Sequence, residues 1–394
     1  MELRRLLAAF ALAGWLSASA FAQNLELTDA GPLSIGTTLT LQSAALNETR
    51  TVHVALPPDY ATSTQRYPVV YVLDAQTFWL FQYAYGETSA LAGQDRMPPV
   101  ILVGVTSPDR FGDLTVASPT NARGRAVEFR SFLGDELQPL IDSRYRTAPY
   151  TVLIGHSLGG SFALHTLARA PDTFDAYIAM SPALQVYDGA IFREVTEGLG
   201  SGRTFKNTLF TSLADEDADM LRYYDDFVQL MADTVPEGID FRQMRFPDES
   251  HGSTPMPGMH HGLLAVWQGW VPPDSITTFD AMLSYFDKLS EHYGYTVTMT
   301  NEKASRLGLD LYDAGDAAGA LQIFEYSLAN IAQGPIEYHQ MGLALRELGR
   351  FEEALAAFEN AIARGPESRF YPMFVEDRDA VAARIAEQTA AVQE

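Results

Sequence analysis

At 394 residues the chain is too long for one ordinary domain and long enough for two with real cores. Its 27 Lys and Arg stand against 50 Asp and Glu, and the formal net charge of -23 argues against nucleic acid or an anionic membrane surface as partner, since both are bound through clustered basic residues. With no cysteine, disulfides, thiolate metal sites, a catalytic thiol and a lipid-modified cysteine are all excluded.

The first 22 residues have the layout of a secretory signal peptide: Arg4 and Arg5, an apolar stretch from Leu6 to Leu16, then small residues ending at Ala22. That stretch is about half the ~20 apolar residues a membrane span needs, so cleavage after Ala22 is expected, and with it a periplasmic or secreted protein. From about residue 36 to 270, short beta-branched runs alternate with helical patterns. The expected strands are residues 49–57, 67–74, 100–105, 150–154, 176–181, 208–214 and 240–247. The middle ones are apolar on both faces, as in a parallel sheet, and the first is expected at the edge, where it can pair antiparallel. Helical patterns at 126–145 and 159–171 lie between them, so the fold class is α/β, an open and mostly parallel sheet covered on both faces.

After Trp270 a breaker-rich link leads to an expected helix over Phe279 to Tyr293, and everything from Asn301 onward reads helical. This tail repeats at a shift of 34 residues, which places Gly308 on Gly342, Gly315 on Gly349, Ala320 on Ala354 and Phe324 on Phe358. That period means paired helices in a stack, and residues from about 296 resemble tetratricopeptide repeats. Two repeats are few for independent stability, so the tail is expected to dock on the larger domain or to use the helix near residues 377–388 as a cap. The expected organisation is a signal peptide at 1–22, an α/β domain at 23–295 and a helical repeat domain at 296–394.

Gly155-His156-Ser157-Leu158-Gly159 fits G-x-S-x-G, with an apolar strand before it and a helical pattern after it. A sharp strand-to-helix turn strains the serine backbone and pushes its hydroxyl out at the carboxyl end of the sheet, which makes Ser157 the candidate nucleophile. The helix that starts there contributes free N–H groups and its positive dipole end to a developing oxyanion, so Leu158 N–H is the first expected donor. A serine at its ordinary pKa is a poor nucleophile, so a base and an orienting acid should follow in the order Ser, Asp or Glu, His.

His251 falls in a Gly- and Ser-rich loop just past the last expected strand and is the candidate base. His156 is inside the elbow, His165 lies mid-helix, His53 is in an early strand, and His260 and His261 begin a helix. Asp217 stands third after the strand-ending small residue Ala214, the offset expected of a triad acid, with Asp215 and Glu216 beside it as alternatives. His251, His260 and His261, with Met256 and Met259 between them, raise the question of copper or zinc, but their spacing matches no ligand motif, and no metal or cofactor is expected.

With these residues, "YPVVYVLDAQTF", "VILVGVTSPDRFGDLT", "YRTAPYTVLIGHSLGG", "AYIAMSPAL" and "FPDESHGS" resemble phrases of the putative-esterase family of alpha/beta-hydrolases. That family includes ferri-enterobactin esterases, S-formylglutathione hydrolases, feruloyl esterases and mycolyl transferases. The resemblance implies that Ser157 attacks an ester or thioester carbonyl, that His251 moves the proton, and that an acid, best placed at Asp217, orients His251. It also implies a second oxyanion donor from the loop after "YVLD", where this chain has Ala75 and the family usually has glycine. Arg110 stands where the family often has an arginine before an "xxDLT" phrase, which implies contact with substrate; a surface salt bridge to Asp113 is the alternative. Some members work with only a weak acid contribution, so replacing Asp217 is expected to cost less than replacing Ser157.

The leading reading is therefore a serine ester hydrolase acting through an acyl-enzyme on siderophore or other small acyl esters. Acyl transfer through the same intermediate, and a scaffold protein that binds a peptide or protein partner through its repeats, are the alternatives.

Overall fold

Six consecutive residues, Tyr67–Val72, are buried, as are all five of Ile101–Val105 and all five of Ala176–Met180. A strand with apolar residues on both faces needs cover on both sides, which helices over a parallel sheet provide. The computed structural model describes residues 33–393 apart from Val235, Asp274 and Thr277; the signal peptide expected at 1–22 lies outside the described residues.

The sheet has eight strands in the order β1-β2-β4-β3-β5-β6-β7-β8. They are β1 Thr37–Ser43, β2 Glu48–Ala55, β3 Tyr67–Val72, β4 Ile101–Val105, β5 Thr147–His156, β6 Ala176–Met180, β7 Asn207–Asp215 and β8 Ile239–Ser250. Strands β3 to β8 pair in parallel; β2 runs antiparallel to both β1 and β4. All seven expected strands are present. The sequence reading lacks β1, whose Thr-rich edge alternates half-buried and exposed residues and shows no apolar run. The β3–β5 ladder shifts register between Tyr67 and Val69, where Pro68 and Pro149 have no N–H to donate.

The helix Leu158–Arg169 lies deep in the fold, buried from Leu158 to Ala168, with Phe162 edge-on to Phe129 at 5.2 Å between ring centres. The helix expected over 126–145 runs as α-helix at Ala126–Ser131, π-helix at Phe132–Leu137 and α-helix at Gln138–Arg144. The wide turn keeps Phe132, Leu133 and Leu137 buried in one stretch, an irregularity that the hydrophobic period does not encode.

In the tail, Asn301–Asp313 pairs with Ala317–Asn330 and Pro335–Glu347 with Phe351–Arg364, and Tyr371–Gln393 packs on the last of these. This final helix is held by buried Phe374 and Val381 and by Asp377, whose carboxylate takes His339 Nε2 at 2.8 Å and Arg346 Nη1 at 2.6 Å. The tail also meets the sheet-bearing part directly. Ser63 Oγ donates to Ile331 O at 3.1 Å, Ser63 and Ala332 form an isolated bridge, and Gln65 binds Thr298. Residues Gly36–Glu394 thus form one compact unit that takes in both sheet and repeats.

The matched positions of the repeat have a common physical cause. A Cβ on Gly308 would lie 2.3 Å from Phe324 Cε1, and one on Gly342 would lie 2.6 Å from Phe358 Cε1. Each glycine lets the facing phenylalanine fill the space between paired helices. Gly342→Ala is expected to destabilise the chain by about 1–3 kcal/mol, the usual cost of overpacking a core. Thermal unfolding of the whole chain should show a lower midpoint, and an unchanged midpoint would mean that Phe358 has room to move.

Candidate active site

The turn between β5 and Leu158–Arg169 places Ser157 at φ 60° and ψ -118°, a backbone conformation that costs a non-glycine residue about 1–3 kcal/mol. Main-chain hydrogen bonds hold it there. Ser157 N–H donates to Met180 O at 2.9 Å, and Ser157 O accepts from Ala183 N–H and Ser161 N–H, both at 3.0 Å. The elbow is tight enough that a Cβ on Gly155 would sit 2.1 Å from Gly159 O, so only glycine fits. Leu158 opens the helix, and as a first-turn residue its N–H has no intrahelical acceptor.

His251 lies in the turn after β8. That turn is closed by Ser253 N–H and Thr254 N–H donating to Ser250 O at 3.1 and 3.0 Å, with Ser250 N–H bound to Ser253 Oγ at 2.9 Å. His251 Nε2 lies 3.0 Å from Ser157 Oγ, and its Nδ1 lies 2.9 Å from each carboxylate oxygen of Glu216. A carboxylate only accepts, so Nδ1 carries the proton and Nε2 presents its lone pair to the serine hydroxyl. Glu216 is nearly buried, at 4% side-chain exposure, while His251 is open at 40%.

The acid facing His251 is therefore Glu216 and not Asp217. β7 runs one residue past Ala214, and the β7–β8 ladder shifts register between Ala214 and Asp215, which pairs with Ser250. The next residue, Glu216, is thereby brought beside His251. Asp217 starts the helix Ala218–Thr234 instead: its Oδ1 accepts Met220 N–H at 3.0 Å and its carbonyl accepts Leu221 N–H at 2.9 Å.

Two other expected positions also differ. Ala75 N–H donates to Val105 O at 3.0 Å and the residue is fully buried, so it is not free to serve an oxyanion. The next residue, Gln76, is exposed, and its N–H meets no acceptor among the described residues. Arg110 does not reach Asp113. Its Nε and Nη2 bind the two carboxylate oxygens of Asp74 at 2.8 and 2.9 Å, and Nη2 also reaches His156 O at 3.2 Å. Asp113 is fully buried on Arg50, at 2.7 and 2.8 Å, with Arg125 beside it at 2.8 Å.

The remaining histidines point to separate partners. His260 Nδ1 meets Glu87 at 2.6 Å, His261 stacks on Phe246, and His165 Nε2 meets Glu194 at 2.9 Å. His156 Nε2 lies 2.8 Å from His251 O, and burial, aided by the field of His251, lowers its pKa to about 4. The sequence offers Glu216 only as an alternative to Asp217, and it does not single out Gln76. Gln76 is the first exposed residue after the buried run that begins with β3, a property of the folded chain that its sequence neighbours do not signal.

Residues 43–228 match the family model described as putative esterase, and residues 335–368 match that of the tetratricopeptide repeat. The first match contains Ser157 and Glu216 and ends before His251. Ferri-bacillibactin esterase of Bacillus subtilis is 32% identical over 177 residues, which are 38% of this chain and 59% of its own length. A siderophore enterobactin esterase of Emericella nidulans is 33% identical over 89 residues, 22% of this chain and 29% of its own. The chain thus spans less than two thirds of the length of these curated relatives. Among solved structures, an IroE-like serine hydrolase from Shewanella oneidensis superposes with a TM-score of 0.61 at 24% identity, over 80% of this chain and 99% of that one. A protein from Capnocytophaga ochracea does so with a TM-score of 0.55 at 20% identity, over 88% and 99%. Over residues 43–228 the sheet-bearing part of this chain, with its elbow at Ser157, is thus similar to the putative-esterase family, and its helical tail matches a tetratricopeptide repeat over residues 335–368.

Proposed function

We propose that this chain is a serine carboxylic-ester hydrolase that works through an acyl-enzyme on Ser157, with His251 as base and Glu216 as the acid that orients it. The observation that carries this reading is the continuous line from Ser157 Oγ through the His251 ring to both oxygens of a nearly buried Glu216. In the first step the Ser157 hydroxyl gives its proton to His251 Nε2 as its oxygen adds to the ester carbonyl, and Glu216 stabilises the imidazolium that forms. Leu158 N–H and Gln76 N–H receive the oxyanion. The tetrahedral species expels the alcohol, which takes the proton from His251, and water then repeats the sequence to release the acid. Every proton move is made by side chains already in place, so the mechanism calls for no cofactor.

Relatives named for siderophore ester cleavage favour siderophore or other small acyl esters as substrate. Phe78, Trp79, Phe111 and Met256 are exposed large apolar residues that follow the carboxyl ends of β3, β4 and β8, a surface suited to the apolar part of such an ester. Work is divided between a hydrolase domain to residue 295 and a repeat domain from 296 that offers a surface to a peptide or protein partner. The signal-like leader supports a periplasmic or secreted location, and no helix among the described residues is long and apolar enough to cross a membrane.

Purified protein is expected to hydrolyse p-nitrophenyl acetate or butyrate and to take a serine-directed fluorophosphonate at Ser157, with Ser157→Ala losing both. Equal rates for the two proteins would overturn the assignment. A panel of iron-bound and iron-free siderophores then identifies the preferred ester. The two neighbouring acids should separate cleanly. Glu216→Gln is expected to lower kcat by on the order of 10³ to 10⁴, as removal of a triad carboxylate does. Asp217→Ala should leave kcat within about twofold and cost about 1 kcal/mol of stability, the worth of a helix cap. A larger kinetic loss from Asp217→Ala than from Glu216→Gln would reverse the roles.

A further inference from the structure

The proposed chemistry leaves one polar ring in the elbow unused. His156 precedes the nucleophile, sits half-buried with its ring centre 4.7 Å from that of His251, and has Nε2 2.8 Å from the His251 carbonyl oxygen. A carbonyl only accepts, so His156 is the Nε2–H tautomer and donates to the main chain of the base. Its own carbonyl accepts from Arg110 Nη2 at 3.2 Å, while Nε and Nη2 of Arg110 hold Asp74 in a two-pronged pair. Asp74 stands at φ 61°, in the left-handed region, and its Oδ1 also accepts Gln76 Nε2 at 3.1 Å, while Gln76 Oε1 accepts Ser107 N–H at 2.8 Å. One chain of contacts thus crosses the ends of four strands, from the loop after β3, through Ser107 and Arg110 after β4 and the elbow after β5, to the turn after β8. No covalent closeness binds these segments, which lie far apart in sequence.

We propose that His156 is a positioning residue for the ester hydrolysis proposed above: it holds the main chain of His251 at the nucleophile, while the Asp74–Arg110 pair holds the main chain of His156 and the loop after β3 in the same frame. His251 needs this support because its side chain is 40% exposed and the Glu216 bond fixes only the ring, while the hydrogen bonds that close its turn are local to residues 250–254 and do not tie it to the elbow. A displacement of about 1 Å between nucleophile and base can cost a factor on the order of 10² in rate. The uncharged state suits the role: with its pKa lowered to about 4 by burial and by His251, His156 stays neutral at working pH. It therefore does not repel the imidazolium that forms on His251 in each turnover. The proposal also gives Arg110 a place. It acts on main-chain and carboxylate groups of the protein and not on substrate.

The test is steady-state kinetics of the full chain on p-nitrophenyl butyrate, together with the rate of fluorophosphonate labelling. His156→Leu is expected to lower kcat roughly 10- to 100-fold with KM changed less than about threefold, and to slow labelling by the same factor, as a displaced base would. His156→Gln can still donate an N–H to the His251 carbonyl and should recover kcat to within about fivefold of wild type. Circular dichroism and thermal unfolding verify the fold; should His156→Leu fail to fold, Arg110→Met provides the same reading, a kcat loss with KM retained. Folded His156→Leu with wild-type kcat, or His156→Gln no better than His156→Leu, overturns the proposal while leaving the esterase assignment standing. A wild-type chain that neither turns over the ester nor takes the label overturns the assignment and this inference with it.

Discussion

The arrangement at the carboxyl edge of the sheet depends on the backbone of Ser157 being held at positive φ. A serine alone would relax out of that conformation, and three main-chain hydrogen bonds to β6, its following turn and the first turn of the elbow helix prevent it. The strain is held by the most buried part of the molecule. β5, β6 and the helix Leu158–Arg169 are almost wholly enclosed, so any relaxation at Ser157 must disturb close-packed core. That close packing lets one hydroxyl be aimed, and His251 and Glu216 are arranged around it.

Charge is treated differently at two depths of the same region. Deep in the fold, Arg50 and Asp113 are both fully enclosed and joined by two hydrogen bonds, with Glu48 also on Arg50, Arg125 also on Asp113, and Arg50 resting over the rings of Phe129 and Phe132. Burial of unpaired ions would be prohibitive, so this pair locks β2 to the short helical turn Arg110–Asp113. Nearer the mouth, Arg110 and Asp74 form a similar two-pronged pair that is partly open to solvent. The two ends of one four-residue turn are therefore tied to different layers, Asp113 inward and Arg110 toward the elbow.

The parts of this structure legible in the sequence are those whose cause is local. The buried strands announce themselves as apolar runs, the helix Phe279–Tyr293 by its helical pattern after a breaker-rich link, and the elbow by its glycines, of which Gly155 leaves no room for a Cβ. What escaped depends on partners distant in sequence. Glu216 rather than Asp217 faces His251 because of a register shift between β7 and β8, and nothing in the run Asp215 to Asp217 reveals which residue that shift selects. Ala75 N–H is taken by Val105 O, a pairing between the ends of two strands that the residues around Ala75 do not reveal. Arg110 and Asp113, three residues apart, read as natural partners, yet each finds a better one across the fold. β1 went unseen because an edge strand with one wet face can be built from threonines.

β8 ends one residue before His251 and is also an edge of the sheet. An exposed edge invites another chain to add a strand, and such an addition here would pull on the turn that carries His251. The strand is poorly suited to that role. Arg242 binds Asp240 within it, Arg245 reaches back to Asp225, and Asp248 and Glu249 follow. A neighbouring strand would have to strip water from this row of charges, so the same residues that oppose strand addition at this edge also protect the alignment of His251.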